Sequence, residues 1–144
     1  MRRVTLDANV LAPGFTSHGS ASSRLIDLWR SGAFALVLSE HVLQELARTL
    51  TDPYFASRLP REEATAILTL LSTNATLTEL TVDVDGVATH PEDDLVLSTA
   101  LSGQATILCT RDKQLLRLGS YLTVAILSPG ELVARLNSEA PAPA

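Results

Sequence analysis

Short apolar runs alternate with amphipathic segments along most of this 144-residue chain. Residues 4–7, 34–38 and 105–110 are short runs rich in apolar residues, which is typical of strands that are buried on both faces of a sheet. The segments between such runs place apolar residues three or four positions apart, as in helices that pack on a sheet. This alternation predicts an α/β fold, a three-layer α/β/α sandwich with a mostly parallel central sheet.

The predicted elements follow a simple order. They are a strand at 4–7, a loop, a helix at 20–31, a strand at 34–38, a helix that Ser39 caps and Asp52-Pro53 ends, a helix from Pro60 through Leu71, a strand at 76–84, a helix that ends at Ser102-Gly103, a strand at 105–110, a short helical turn at 112–118, a strand at 121–127 and a last helix. Residues 89–92 and 128–131 have the spacing of capping boxes at helix starts. We expect a single domain over 1–137 and a disordered tail over 138–144.

Composition narrows the function. The net charge of −5 argues against a general binder of polyanions, although ten of the 11 basic residues are arginine. Such arginine usage suits phosphate contacts and equally reflects genome composition. The single cysteine, Cys109, excludes disulfides and a zinc-thiolate site, and it is either a buried thiol or a nucleophile. We expect a cytoplasmic protein without a membrane partner, because no apolar run has the length of a membrane span and the N-terminus lacks a secretory signal.

Four acidic residues lie just beyond predicted strands, at the edge of a parallel sheet where ligands bind. They are Asp7, Glu45, Asp93 and Asp112. Asp93 or Asp112 alone is better explained as a helix cap, whereas Asp7, which closes a strand two residues before Asn9, is harder to explain by capping alone. Carboxylates at about 4 Å from each other, at an effective dielectric of about 20, repel by roughly 4 kcal/mol per pair, and a divalent cation relieves this repulsion. Hard oxygen ligands favour Mg²⁺ or Mn²⁺, so we expect a metal site suited to phosphodiester hydrolysis.

These acids lie in four segments that follow one another along the chain. The segments are residues 4–11 (VTLDANVL), 38–46 (LSEHVLQEL), 90–100 (HPEDDLVLSTA) and 108–116 (LCTRDKQLL). Together they resemble the acidic motifs of PIN-domain nucleases, and most of all the VapC-like toxins of bacterial toxin–antitoxin systems. The resemblance implies a parallel α/β/α sandwich and a metal-dependent endoribonuclease that cleaves single-stranded RNA. It also implies that the four acids bind Mg²⁺ or Mn²⁺, that the protein forms a homodimer and that an antitoxin protein inhibits it.

The resemblance gives further residues a role. Asn9 and Thr110 would support the site. The family's third acid lies seven residues before a small residue, and Asp93 has this distance from Ala100, so we assign Asp93 as the ligand and Asp94 as its neighbour. Where many relatives have glycine, this chain has Arg111, which either contacts an RNA phosphate or is simply exposed.

Two other functions are compatible with the sequence. One is a catalytically silent PIN-like scaffold that binds RNA or protein, although all four acids are present. The other is a phosphoryl-transfer domain of the haloacid-dehalogenase or receiver type, which also has an aspartate at the end of its first strand. The former type expects a second aspartate where this chain has Asn9, and the latter expects a lysine on a late loop, whereas Lys113 lies beside an aspartate.

Overall fold

The computed structural model describes residues 1–139 and contains six strands and eight helices in that range. In chain order they are β1 (Arg3–Leu6), α1 (Ala8–Thr16), α2 (Ala21–Arg30), β2 (Ala35–Leu38), α3 (Glu40–Leu50), α4 (Pro53–Ala56), α5 (Arg61–Asn74), β3 (Thr76–Leu77), α6 (Pro91–Ser102), β4 (Ile107–Cys109), α7 (Lys113–Leu118), β5 (Ser120–Tyr121), β6 (Val124–Leu127) and α8 (Pro129–Glu139). None of these helices is both long and apolar enough to cross a membrane.

The strands form one sheet in the order β3-β2-β1-β4-β6-β5. All neighbouring pairs are parallel except β5 and β6. Val4, Thr5 and Leu6 of the central strand β1 are all fully buried. Because successive side chains of a strand point to opposite faces, this burial requires cover on both sides of the sheet. The predicted α/β/α sandwich with a mostly parallel sheet is therefore confirmed.

Helix α1 was not predicted, since residues 8–16 were expected to be a loop. Pro13 and Gly14 lie inside this helix and mask its pattern in the sequence. Gly14 has a packing reason to be there: a Cβ atom at this position would lie 2.8 Å from Ile26 Cγ1. The missing side chain lets α1 approach α2 closely. As a result, α1 begins directly after β1, with Asp7 as its N-cap residue.

The predicted strand at 76–84 is wrong beyond Leu77, because the chain leaves the sheet and runs along α6. There, Ser102 Oγ accepts hydrogen bonds from the backbone N–H groups of Thr81 (2.9 Å) and Val82 (3.0 Å). Ser98 Oγ donates to the carbonyl oxygen of Val82. Backbone groups that bond to side chains are unavailable for a strand ladder, so β3 ends after two residues.

The predicted single strand at 121–127 is confirmed for residues 124–127 but is divided before them. It is a hairpin in which β5 pairs antiparallel with β6, with Leu122 and Thr123 at the turn. Leu122 adopts a positive φ of 50° and is exposed. Glycine or asparagine usually occupies such a position, so the sequence carries no turn signal here.

The two predicted capping boxes differ in outcome. At α8, the N–H of Ser128 donates to Glu131 Oε1 (3.0 Å) and the N–H of Glu131 donates to Ser128 Oγ (3.2 Å), as predicted. At α6, the box at 89–92 does not form: the cap is His90, without a side-chain bond, because Pro91 is the first helical residue. Ser138 and Glu139 of the predicted tail belong to α8, and residues 140–144 lie outside the described residues.

Replacing Gly103 by alanine is expected to destabilise the fold by about 1–3 kcal/mol, because a Cβ atom there would overlap the buried side chain of Val37 on β2. Urea unfolding would measure the change in the free energy of unfolding. Gly130→Ala is the matched control, since the space around Gly130 is open and its backbone is helical. Equal stability of the two variants would contradict this prediction.

Candidate active site

A cleft of about 300 Å³ lies beside the carboxyl ends of β1 and β4. Five of the residues predicted from the sequence line it together: Asp7, Asn9, Glu45, Asp93 and Arg111. They come from the residue after β1, from α1, α3 and α6, and from the loop after β4, so the parallel sheet gathers side chains that are far apart in the chain.

Asp7 is the most buried acid of the cleft, with 4% of its surface exposed. Its Oδ1 accepts a hydrogen bond from the N–H of Ala8 (2.7 Å), and its Oδ2 accepts one from Thr110 Oγ1 (2.9 Å). Burial, together with the smaller effects of the charges of Glu45 and Asp93, raises the pKa of Asp7 to about 6 despite these two bonds. Asp7 is thus a carboxylate whose negative charge is poorly compensated by the protein itself.

Asn9 and Thr110 connect the ends of β1 and β4 around Asp7. The amide nitrogen of Asn9 donates to Thr110 Oγ1 (3.3 Å), and its amide oxygen accepts from the backbone N–H of Arg111 (3.0 Å). Thr110 Oγ1 also accepts from the N–H of Asp112 (3.1 Å). With its acceptor capacity used in this way, the hydroxyl directs its hydrogen to Asp7 and fixes the orientation of that carboxylate.

Glu45 projects from α3 and is flanked by two residues of the same helix. His41 Nε2 lies 3.1 Å from Glu45 Oε1, and Arg48 lies 4.0 Å from the same oxygen. The His41 contact lacks the alignment of a hydrogen bond, so it is an ion pair when the imidazole is protonated. The side chains of His41 and Glu45 are 15% and 20% exposed. These contacts limit the positions that the Glu45 carboxylate adopts at the cleft wall.

Asp93 and Asp94 have different surroundings. Asp93 lines the cleft, and its pKa is raised by partial burial and by the charges of Asp112, Glu45 and Glu92, which outweigh the opposite effect of His90. Asp94 is buried, and its two carboxylate oxygens accept from the N–H groups of Gly86 (3.0 Å) and Ala88 (2.6 Å). The geometry thus gives Asp94 a structural duty and leaves Asp93 facing the cleft.

Asp94→Asn is expected to destabilise the protein by about 1–3 kcal/mol, since an amide group would face a backbone N–H that now has a charged acceptor. Asp93→Asn is the matched variant and is expected to leave stability within about 0.5 kcal/mol of the wild type or above it. Urea unfolding of both proteins without metal would measure the difference. Equal losses, or a larger loss for Asp93→Asn, would contradict the separate roles.

Asp112 differs from the other three acids. It is the N-cap residue of α7, and its Oδ1 accepts from the N–H groups of Gln114 (2.8 Å) and Leu115 (3.0 Å). It does not line the cleft, but its charge is close enough to raise the pKa of Asp93. Asp112 therefore caps a helix at the border of the acidic site.

The cleft residues that the sequence did not identify include Glu92, Thr49 and Phe55. Glu92 follows Pro91 in the first turn of α6, where an acid is a normal partner of the helix dipole, so its sequence position gives no sign of a cleft. The helical spacing of Thr49, four residues after Glu45, is the one signal that could have placed it on the cleft side of α3.

The cleft fits a hard divalent cation by the chemistry of its donors. Asp7, Glu45 and Asp93 supply only carboxylate oxygens, which are ligands of Mg²⁺ and Mn²⁺. Within residues 1–139, no three acidic, histidine or cysteine side chains converge closely enough to enclose an ion on their own.

Fold and cleft together define an α/β/α protein with an acidic site at the carboxyl ends of its parallel strands. The chain belongs to the PIN-domain family, whose model matches residues 3–114. The resemblance seen in the four acidic segments is thereby confirmed, and it points to a nuclease. No protein of curated function matches the sequence.

Solved structures share the fold at low sequence identity. PAE2754 from Pyrobaculum aerophilum has a TM-score of 0.62 and 16% identity, over 96% of this chain and 91% of that chain. VapBC2 from Rickettsia felis, bound to a DNA fragment from its promoter, has a TM-score of 0.60 and 14% identity, over 88% of this chain and 98% of that chain. VapC20 from Mycobacterium tuberculosis, a toxin that cleaves the sarcin–ricin loop, has a TM-score of 0.56 and 18% identity, over 85% and 98%.

Proposed function

We propose that this protein is a metal-dependent endoribonuclease that cleaves single-stranded RNA. The observation that carries the proposal is the meeting of Asp7, Glu45 and Asp93 in one cleft. Burial and the repulsion of neighbouring carboxylates raise the pKa values of Asp7 and Asp93 and so disfavour their negative charges. A group of carboxylates that the protein leaves uncompensated is stabilised by a bound cation.

Each residue has a defined part in this proposal. Asp7, Glu45 and Asp93 would hold Mg²⁺ or Mn²⁺, which supplies an acidified water and stabilises charge on a phosphodiester. Thr110 orients Asp7 through its hydroxyl. Asn9 holds the backbone at Arg111, whose side chain lines the cleft and carries the positive charge needed to bind an RNA phosphate. Asp112, the fourth acid predicted as a ligand, would add its carboxylate at the border of the site, where its charge raises the pKa of Asp93.

The protein is further proposed to be the toxin of a toxin–antitoxin pair. Among the structures that share its fold are VapBC2 from Rickettsia felis and the FitAB complex bound to a DNA fragment. Both names describe a pair of proteins, which supports an antitoxin as the partner of this chain. By the family resemblance, this toxin would act as a homodimer in the cytoplasm.

Single-turnover cleavage of an end-labelled single-stranded RNA tests the enzymatic proposal. We expect cleavage with Mg²⁺ or Mn²⁺ and none with EDTA, and much slower cleavage of duplex RNA and single-stranded DNA of the same sequence. RNA that stays intact with either ion would sink the nuclease proposal, and metal-independent binding of the same RNA would then favour the silent scaffold. The phosphoryl-transfer alternative has lost its support, because the chain is a PIN domain.

A further inference from the structure

A second cavity, of about 200 Å³, adjoins the acidic cleft. It lies between the loop at 87–89 and α7, and Asp93 lines both the cavity and the cleft. A polymer whose phosphodiester lies against Asp93 in the cleft therefore has its neighbouring unit next to the cavity. We propose that this cavity is a nucleobase subsite, which binds the base of a nucleotide that flanks the cleaved bond of single-stranded RNA. This inference rests on the proposed nuclease function.

The inner wall of the cavity is apolar. It includes Val87, Leu115 and Leu118. Leu118 is 41% exposed, so part of this large apolar side chain is open to contact with a ligand. The face of an unpaired base is flat and weakly hydrated, so it gains from contact with such a wall. Each base has such a face, so the wall alone would bind any of them.

The rim of the cavity carries groups that can read the edge of a base. Thr89, Gln114 and Arg117 line it. Within residues 1–139, the Gln114 amide and the Thr89 hydroxyl make no hydrogen bond, and the Arg117 guanidinium makes no ion pair. The amide offers one acceptor and two donors, which match the donor and acceptor pairs on base edges. Arg117 supplies a positive charge for the adjoining phosphate.

The wall formed by the loop is fixed before any ligand binds. Asp94 accepts hydrogen bonds from the N–H groups of Gly86 and Ala88, and thereby ties the loop to the first turn of α6. Asp93, on the same turn, lies between the cavity and the cleft. A prearranged wall lowers the ordering cost of binding. Arg111 lines the cleft and Arg117 lines the cavity, so one positive charge lies on each side of Asp93. An RNA backbone that runs from the cleft past Asp93 to the cavity would meet a positive charge at both ends of this path.

The test uses RNA with a mapped cleavage site and single abasic substitutions on either side of it. For the wild type, we expect one abasic position to lower kcat/KM by about tenfold, the loss of one or two good contacts. Ala88→Phe fills the cavity, and in this variant the same abasic substitution should change kcat/KM by less than about twofold. Gln114→Ala should flatten the preference among the four bases at that position. Gln44→Ala, the same substitution at an exposed position of α3, is the control and should retain the preference.

Binding is measured in parallel with labelled RNA in EDTA, so that the two proposals fail separately. RNA that binds with the predicted abasic effect but is never cut would sustain the subsite and refute the nuclease. Cleavage that is insensitive to every abasic position would refute the subsite and leave the nuclease standing. A third outcome also refutes the subsite. In it, Ala88→Phe and Gln114→Ala leave RNA binding and base preference as in the wild type and weaken only the binding of an antitoxin protein. The cavity would then be a protein-docking surface.

Discussion

Asp7→Asn is expected to slow metal-dependent RNA cleavage by at least about a hundredfold. A bound metal ion stabilises the transition state by several kcal/mol. Losing about 3 kcal/mol of this stabilisation lowers the rate by a factor of more than about 100. Asp7 is the carboxylate that Thr110 orients in the cleft, and an asparagine of the same shape removes its charge while keeping a cap for α1. The measurement is the single-turnover rate at saturating Mn²⁺.

Two controls make this result specific. Asp83→Asn makes the same substitution at an exposed residue of the loop before α6 and is expected to keep the wild-type rate. Unfolding curves of the metal-free proteins would show that Asp7→Asn is folded. Cleavage by Asp7→Asn at the wild-type rate would mean that the nuclease activity arises elsewhere or comes from a contaminant.

In the metal-free protein, Asp7 is expected to cost stability at neutral pH. Its pKa rises from an ordinary value of 3.8 to about 6 on folding, so the folded state binds the proton more tightly than the unfolded state does. Stability contributed by this group is therefore greatest below pH of about 4 and falls as the pH rises to about 6. A shift of this size corresponds to roughly 3 kcal/mol.

The comparison of Asp7→Asn with the wild type isolates this effect, because other titrating groups act on both proteins. Urea unfolding in EDTA should show the wild type losing up to roughly 3 kcal/mol relative to the variant between pH 4 and pH 7. At pH 7 the wild type should show its largest loss relative to the variant, although the variant cleaves RNA far more slowly. Parallel stability curves across this range would show that Asp7 is not held at a raised pKa.

The central sheet was predictable because its strands are buried on both faces. A run such as Val4-Thr5-Leu6 has few alternatives to a parallel core strand, and the polar or charged residue at its end marks the functional edge. The parts that could not be predicted depend on contacts between distant segments. Helix α1 contains Pro13 and Gly14, which are unusual inside helices. The glycine is explained by the close approach of Ile26 in the folded protein, which the sequence does not reveal.

The candidate site shows the same division. The sequence places Asp7, Glu45 and Asp93 near one edge, and all three line the cleft. The different duties of Asp93 and Asp94 depend on the loop at 86–88, whose backbone occupies Asp94. Similarly, the helical spacing of His41 and Glu45 predicts that their side chains are neighbours. That the His41 side chain is mostly buried there depends on packing and was not predictable.

The most direct test of the proposed metal site is a crystal of the protein soaked in Mn²⁺ and measured at the manganese absorption edge. We expect an anomalous peak in the cleft. It should lie about 2.0–2.3 Å, a coordination distance, from carboxylate oxygens of at least two of Asp7, Glu45 and Asp93. Asp94 should remain bound to the loop backbone. A cleft without a peak at saturating Mn²⁺, or a peak that none of Asp7, Glu45 and Asp93 coordinates, would contradict the metal-dependent nuclease proposed for this chain.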